Sequence, residues 1–364
     1  MSTRQDWIDY SKGLGILLVV YGHSLNSATH SGLGISEFFQ SFCDATFSNT
    51  IPVFFFLSGL FVERSLDKRD ARVFLIERAS RLVYPYLVWS ILQGAAELAF
   101  SSQSLNGTTY ETLLAIPYRP FEQFWFLYTL FLMFPAYVVA RQAGRWSLAL
   151  LVGAAIALFL WPLPFSALTL DRFSIHLIFF VAGILFSRYF VGARALRVPL
   201  WLTIPLTVVF FASAALIFTR QIDPRIAGVT HVEHRFYYLY LGTLLGAINI
   251  GWAQFLGNGQ RLSVLRLMGV YSLQIYVAHM LFAVGFRIAA EKVFGTSEPF
   301  LIVAGCIGAG ILGPMVLCVA MERVGLPVLF DLSHPVNPSR FAELAAVARQ
   351  RLETARQMGR RLRS

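Results

Sequence analysis

Ten stretches of mostly apolar residues, near 13–30, 47–63, 82–100, 122–140, 147–162, 173–190, 199–218, 236–256, 268–286 and 299–321, recur along the chain at close to bilayer-crossing length. A helix rises about 1.5 Å per residue, so a hydrocarbon layer of about 30 Å takes roughly 20 residues to cross. Lipid offers no hydrogen-bond partners, and each run must therefore close its backbone bonds within itself as a helix. The expectation is an all-α fold, a polytopic bundle of about ten transmembrane helices. Composition agrees: the apolar set supplies 56% of residues, charged residues only 14%, and mean hydropathy is +0.61. Polar punctuation such as "SSQSLNGTTYET" and "GNGQRLSVLR" separates the runs. The first run lacks a small-residue cleavage site and is read as a retained helix. No internal repeat of the kind common in secondary transporters is visible.

Basic residues set the orientation. With the N-terminus cytoplasmic, all but seven of the 30 lysines and arginines fall on the cytoplasmic side; the exceptions are Arg119, Arg172, Arg220, Arg225, Arg235, Arg287 and Lys292. Both termini are thus expected in the cytoplasm. The same asymmetry accounts for the +10 net charge through topology and contact with anionic membrane lipids, with no nucleic acid as partner. The chain divides into a membrane domain, 1–322, and a basic cytoplasmic tail, 323–364. In the tail Phe341, Leu344, Val347, Ala348 and Leu352 recur at near-helical spacing, which fits a surface-lying amphipathic helix; a solvated basic tail is the plainer alternative. Cys43, Cys306 and Cys318 are an odd number without CxxC spacing, so neither a disulfide framework nor a zinc site is implied.

Polar residues inside the runs carry the chemistry. Lys12 and His23 are eleven residues apart, about three helical turns, which places them on one face about 16 Å apart. Lys12 lies at the cytoplasmic boundary, where it can also simply snorkel to the headgroups, and Asp9 is close enough to pair with it. His23 lies at membrane depth, where an ionisable group is costly unless it faces a polar cavity, and a neutral imidazole suits a general base. Ser58 and Gly59, in "FFFLSGLF", are small enough to admit either a neighbouring helix or an extended ligand. Arg78 and Arg81 share a helix face and form either a phosphate clamp or a headgroup contact. At the outer end of the fourth run, Glu122, Gln123, Trp125 and Tyr128 are weaker polar marks, for which an aromatic belt is the plain reading. The ninth run carries Tyr271, Ser272, Gln274, Tyr276 and a second intramembrane imidazole, His279; His176 in the sixth is a weaker third. His231, Glu233 and His234 resemble a metal site only superficially, and no metal is expected.

The order of these pieces resembles acyltransferase family 3 membrane proteins: a basic residue, ten residues and a histidine (Lys12 to His23), then "FFFLSGLF", then Arg78 and Arg81 running into "YPY", then "FWFLY", then "SLQIYVAH". The likeness runs from about Trp7 to the last span and is nearest to the branch that acetylates sugars and exopolysaccharides. Lys12 stands where most of the family has arginine, which keeps the charge and removes the bidentate fork. The resemblance implies transfer of an acetyl group from cytoplasmic acetyl-CoA to a hydroxyl of an exopolysaccharide or lipid-linked saccharide presented from outside, in a bacterial inner membrane. Lys12, Arg78 and Arg81 would hold the nucleotide phosphates, the pantetheine arm would pass Ser58 and Gly59, and His23 would act as base. His279 or Tyr276 would stabilise the oxyanion or orient His23, while Glu122 and Trp125 would meet the sugar. The sequence shows no hydrolase-like domain, so any transfer is expected to be completed by the membrane domain itself or with a separate partner, for which polysaccharide-biosynthesis proteins are the candidates.

Two other functions compete. A saccharide or small-solute transporter or flippase also needs buried polar residues, but intramembrane carboxylates for ion coupling are nearly absent. A non-catalytic subunit of a polysaccharide synthase would keep the same fold.

Overall fold

A computed structural model describes residues 6–99, 108–189, 197–219, 232–293, 295–323 and 329–330. Among these the regular structure is helical: α1 (Asp6–His30), α2 (Glu37–Ser48), α3 (Ile51–Leu66), α4 (Ala71–Ala99), α5 (Tyr110–Leu114), α6 (Trp125–Arg141), α7 (Ser147–Leu160), α8 (Leu170–Tyr189), α9 (Leu200–Thr219), α10 (Val232–Asn258), α11 (Ser263–Val270), α12 (Ser272–Lys292) and α13 (Pro299–Arg323). The fold is an all-α polytopic bundle. Each of the ten apolar runs falls on a helix, and seven helical stretches, with α2 and α3 counted together, are long and apolar enough to cross a membrane. The other three differ for separate reasons. α7 has only 14 residues, whereas α1 and α4, with 25 and 29, have the length but carry charged and polar stripes through Asp9, Lys12 and His23 and through Glu77, Arg78 and Arg81.

In lipid, helix association depends on close packing more than on apolar burial, so small residues mark the contacts. α1 lies at the centre, against α2, α3, α10, α11, α12 and α13. Its inward residues include Ser11, Gly13, Gly15, Gly22, Ser24, Ser27 and Ala28. At the α1–α11 crossing the backbones touch: a Cβ on Gly269 would sit 1.6 Å from the Asp9 carbonyl oxygen, and one on Gly13 would sit 1.9 Å from that of Leu265. This contact fixes the path of α11 and divides the ninth apolar run at Tyr271, so that α12 begins at Ser272. α3 and α8 are joined the same way through Gly59 and Gly183. Ser11 donates to Asn249 Oδ1 and ties α1 to α10.

Ion pairs gather at the end that the charge asymmetry assigns to the cytoplasm: Arg188–Glu63 at 2.6 Å, Arg141–Asp67 at 2.5 Å, Arg69–Glu77 at 3.2 Å and Arg266–Asp6 at 3.1 Å. Past α13, Phe330 packs on Trp89 of α4, whose indole N–H donates to the Leu329 carbonyl. The rest of the tail, including the amphipathic pattern, lies outside the described residues.

Candidate functional site

Five helices enclose a cavity of about 350 Å3. Its lining follows helical periodicity: Lys12, Ile16 and Val19 from α1; Ile51, Phe54, Ser58 and Phe61 from α3; Arg78, Arg81 and Leu82 from α4; Phe126, Leu130 and Phe134 from α6; Ser272 and Tyr276 from α12. Three cations therefore stand toward the end that the charge asymmetry assigns to the cytoplasm, in a chamber whose other walls are mostly apolar. Arg78 Nη2 donates to Ser65 Oγ at 2.6 Å, and its guanidinium lies 4.9 Å from the Phe74 ring and 5.0 Å from the Phe134 ring. The nearby arginines 69, 141, 188 and 266 are matched with carboxylates, whereas Arg78 is held by a hydroxyl and two ring faces. Its Nε is buried and makes no hydrogen bond. A cation so arranged, one turn from Arg81, favours an anion between them.

The deep end leads to the imidazoles. His23 lies one turn past Val19 on the stripe that begins at Lys12, and its ring centroid is 5.1 Å from that of His279. His279 is fully buried, and its ring lies 6.2 Å from that of Tyr276, in the cavity wall. Phe47 closes the other side of His23 at 4.9 Å. The Tyr276 hydroxyl donates to the Gln123 carbonyl, so in this conformation its proton is committed away from the chamber.

Of the residues singled out in the sequence, Lys12, Ser58, Arg78, Arg81 and Tyr276 meet around one cavity, with His23 and His279 just beyond it. Gly59 faces elsewhere. A Cβ there would sit 1.9 Å from the Phe180 carbonyl oxygen, so its size serves the α3–α8 contact, and Ser58 alone of the pair lines the chamber. Glu122 is exposed, with the left-handed φ of 46°, and Trp125 packs on His176 at 5.3 Å under the Arg172 guanidinium at 5.0 Å; neither lines the cavity. His176 is satisfied at both nitrogens, by the Arg172 carbonyl at 2.7 Å and the Tyr238 hydroxyl at 2.8 Å, as a structural histidine is. His231 lies outside the described residues, while Glu233 and His234 fall in the first turn of α10. Among the described residues no group of three His, Cys, Asp or Glu side chains is placed to hold a metal ion.

Sequence reasoning overlooked two features. The aromatic walls, Phe54, Phe126 and Phe134, carry no chemical signature in a chain this rich in phenylalanine. Arg287, counted among the outer-side cations, is also a buried one: it is 3% exposed and donates to Ser27 Oγ at 3.0 Å and to Glu291 at 3.0 Å. Its place two turns after His279 on α12, opposite a serine one turn after His23, was the available signal.

Fold and site together define a multi-pass membrane protein with a cation-mouthed chamber leading to paired imidazoles. The chain belongs to acyltransferase family 3: the acyltransferase domain model matches residues 5–319. It is also similar to the nodulation protein NolL of Mesorhizobium japonicum, 26% identical over 185 residues covering 50% of this chain and 47% of that protein. NolL of Sinorhizobium fredii is 26% identical over 193 residues, 51% of this chain and 50% of the relative. The chain thus spans about half the length of the curated relatives it matches. No solved structure matches it.

Proposed function

We propose that this protein is a membrane O-acetyltransferase that moves an acetyl group from cytoplasmic acetyl-CoA to a hydroxyl of an exopolysaccharide or lipid-linked saccharide, in a bacterial inner membrane. The observation that carries the reading is one chamber with Lys12, Arg78 and Arg81 toward one end and Tyr276 toward the other, with His279 and His23 just beyond it. Phosphates of the donor meet the cations, and the apolar walls with Ser58 accommodate the pantetheine arm. Ser58 donates its own proton to the Phe54 carbonyl at 2.8 Å, leaving hydroxyl lone pairs to accept from amide N–H groups of the arm.

An alcohol is a weak nucleophile at neutral pH and needs a base as it attacks. His23 takes the proton of the acceptor hydroxyl while its oxygen bonds to the thioester carbon; the carbon–sulfur bond then breaks, and the thiolate leaves with the proton from His23. The acceptor arrives from the outer side, and polysaccharide-biosynthesis proteins supply it. Family membership supports acyl transfer as the reaction class.

The deciding measurement is the O-acetyl content of surface polysaccharide from cells with wild type, His23→Ala or no protein, at equal membrane protein level. Loss of acetyl in His23→Ala by a factor of about 100 or more, with polymer yield preserved, is the expected result. Unchanged acetylation with polymer missing from the surface would replace the enzyme by a translocator.

A further inference from the structure

A buried imidazole has two nitrogens to account for. His279 Nδ1 lies 3.1 Å from the Ile275 carbonyl oxygen and 2.8 Å from that of Tyr276. Carbonyls only accept, so Nδ1 carries the hydrogen and Nε2 of the neutral ring presents a bare lone pair. That Nε2 is buried and makes no hydrogen bond. The Tyr276 hydroxyl cannot serve it, being committed to the Gln123 carbonyl. Of the two rings in contact with that of His279, His23 is the nearer, with centroids 5.1 Å apart and planes inclined at 48°, against 6.2 Å for Tyr276. Two imidazoles joined edge to edge by an N–H···N bond of about 2.9 Å have centroids roughly 5.1 Å apart at most, once about 1.1 Å from each nitrogen to its ring centre is added. The observed spacing therefore suits a hydrogen-bonded pair, reached by rotation of the His23 ring while His279 keeps its Nδ1 bonds to the helix carbonyls. The χ2 torsion of histidine is broad, so that rotation is inexpensive. On its other side His23 meets the Phe47 ring, which offers it no acceptor of comparable strength.

We propose that His279 is a positioning residue whose Nε2 accepts the N–H of His23, fixing the tautomer in which the other His23 nitrogen is the bare base. The inference rests on the functional reading above and assigns the second imidazole its part in it. No covalent bond changes at His279. The proton taken from the acceptor hydroxyl stays on His23, whose cationic form donates to His279 more strongly, and then passes to the leaving thiolate.

Two substitutions separate the roles of the two nitrogens. His279→Asn keeps a donor near the Nδ1 position for the helix carbonyls and lacks an acceptor at Nε2; His279→Gln can extend an amide oxygen toward the Nε2 position. Three quantities are read on detergent-solubilised protein: the rate at which diethyl pyrocarbonate modifies His23, by peptide mass spectrometry; acetyl transfer; and thermal protection by acetyl-CoA. In His279→Asn both His23 modification and transfer fall by about tenfold or more, in the range seen when a supporting hydrogen-bond partner is removed from a functional histidine, and His279→Gln recovers most of both. Thermal protection persists in each. Wild-type His23 reactivity in the asparagine variant, or a glutamine variant no better than asparagine while still protected by acetyl-CoA, would overturn the pairing. The modification rates need no substrate, so the expected pattern in a protein that transfers no acetyl group would sustain the pairing and sink the functional reading alone.

Discussion

Arg78 and Arg81 sit one turn apart on α4, but Arg78 has the more telling surroundings. Its charge is balanced by a serine hydroxyl and two phenyl faces, and its buried Nε makes no hydrogen bond. A charge-assisted hydrogen bond to phosphate contributes about 1.5–3 kcal/mol, which corresponds to roughly 10- to 150-fold in affinity. Arg78→Gln should therefore weaken acetyl-CoA binding by about that factor, read by calorimetry on solubilised protein, and raise KM with little change in kcat. Arg141→Gln, at an arginine paired with Asp67 outside the chamber, is the matched control and should leave the affinity within about twofold, since exposed ion pairs contribute about 0–1 kcal/mol. Equal loss in both variants would make the effect one of net charge at the membrane surface and would detach the donor from Arg78.

At the scale of helices, glycines decide which faces touch. A Cβ on Gly59 would meet the Phe180 carbonyl oxygen at 1.9 Å, and one on Gly183 would meet that of Phe56 at 2.1 Å; backbone atoms cannot yield as a side-chain tip can. Gly59→Ala should push α3 from α8 and cost about 1–3 kcal/mol, visible as a melting temperature several degrees lower. Gly153→Ala on α7, where nothing lies within 4 Å, should melt as wild type or slightly higher. If Gly59→Ala keeps its melting temperature but loses donor binding, the glycine serves the ligand after all. The same position shows what the sequence could and could not disclose. Helical period was enough to align Lys12 with His23 and to pair Arg78 with Arg81, because each pair lies within one helix. Whether Ser58 or Gly59 faced the chamber depended on α8, whose contact no local pattern announces. Glu122 and Trp125 stand out in the sequence for being polar or aromatic at a helix end, yet Trp125 packs on His176 under Arg172 and Glu122 is exposed outside the chamber. The break at Tyr271 was hidden for a similar reason, since continuous hydropathy does not reveal a crossing helix.

For the molecule as a whole, the functional reading depends on which way the chamber opens. Lys12, Arg78 and Arg81 stand at the end where the ion pairs of Glu63, Asp67 and Asp6 collect, and Arg287 with Glu291 marks the opposite half of α12. A thioester donor made in the cytoplasm can reach the cations only if that first end faces inward. The excess of basic residues there predicts this orientation, which anionic lipid on the cytoplasmic face would reinforce. Native thiols interfere little with a direct test, because Cys43, Cys306 and Cys318 are all buried. Lys68→Cys, in the exposed turn after α3, should react with a membrane-impermeant maleimide only in inverted vesicles, and Ser297→Cys, exposed just before α13, only in spheroplasts. The reverse pattern would turn the cationic mouth outward, exclude cytoplasmic acetyl-CoA as donor, and leave His23 and His279 serving a group that arrives from the other side.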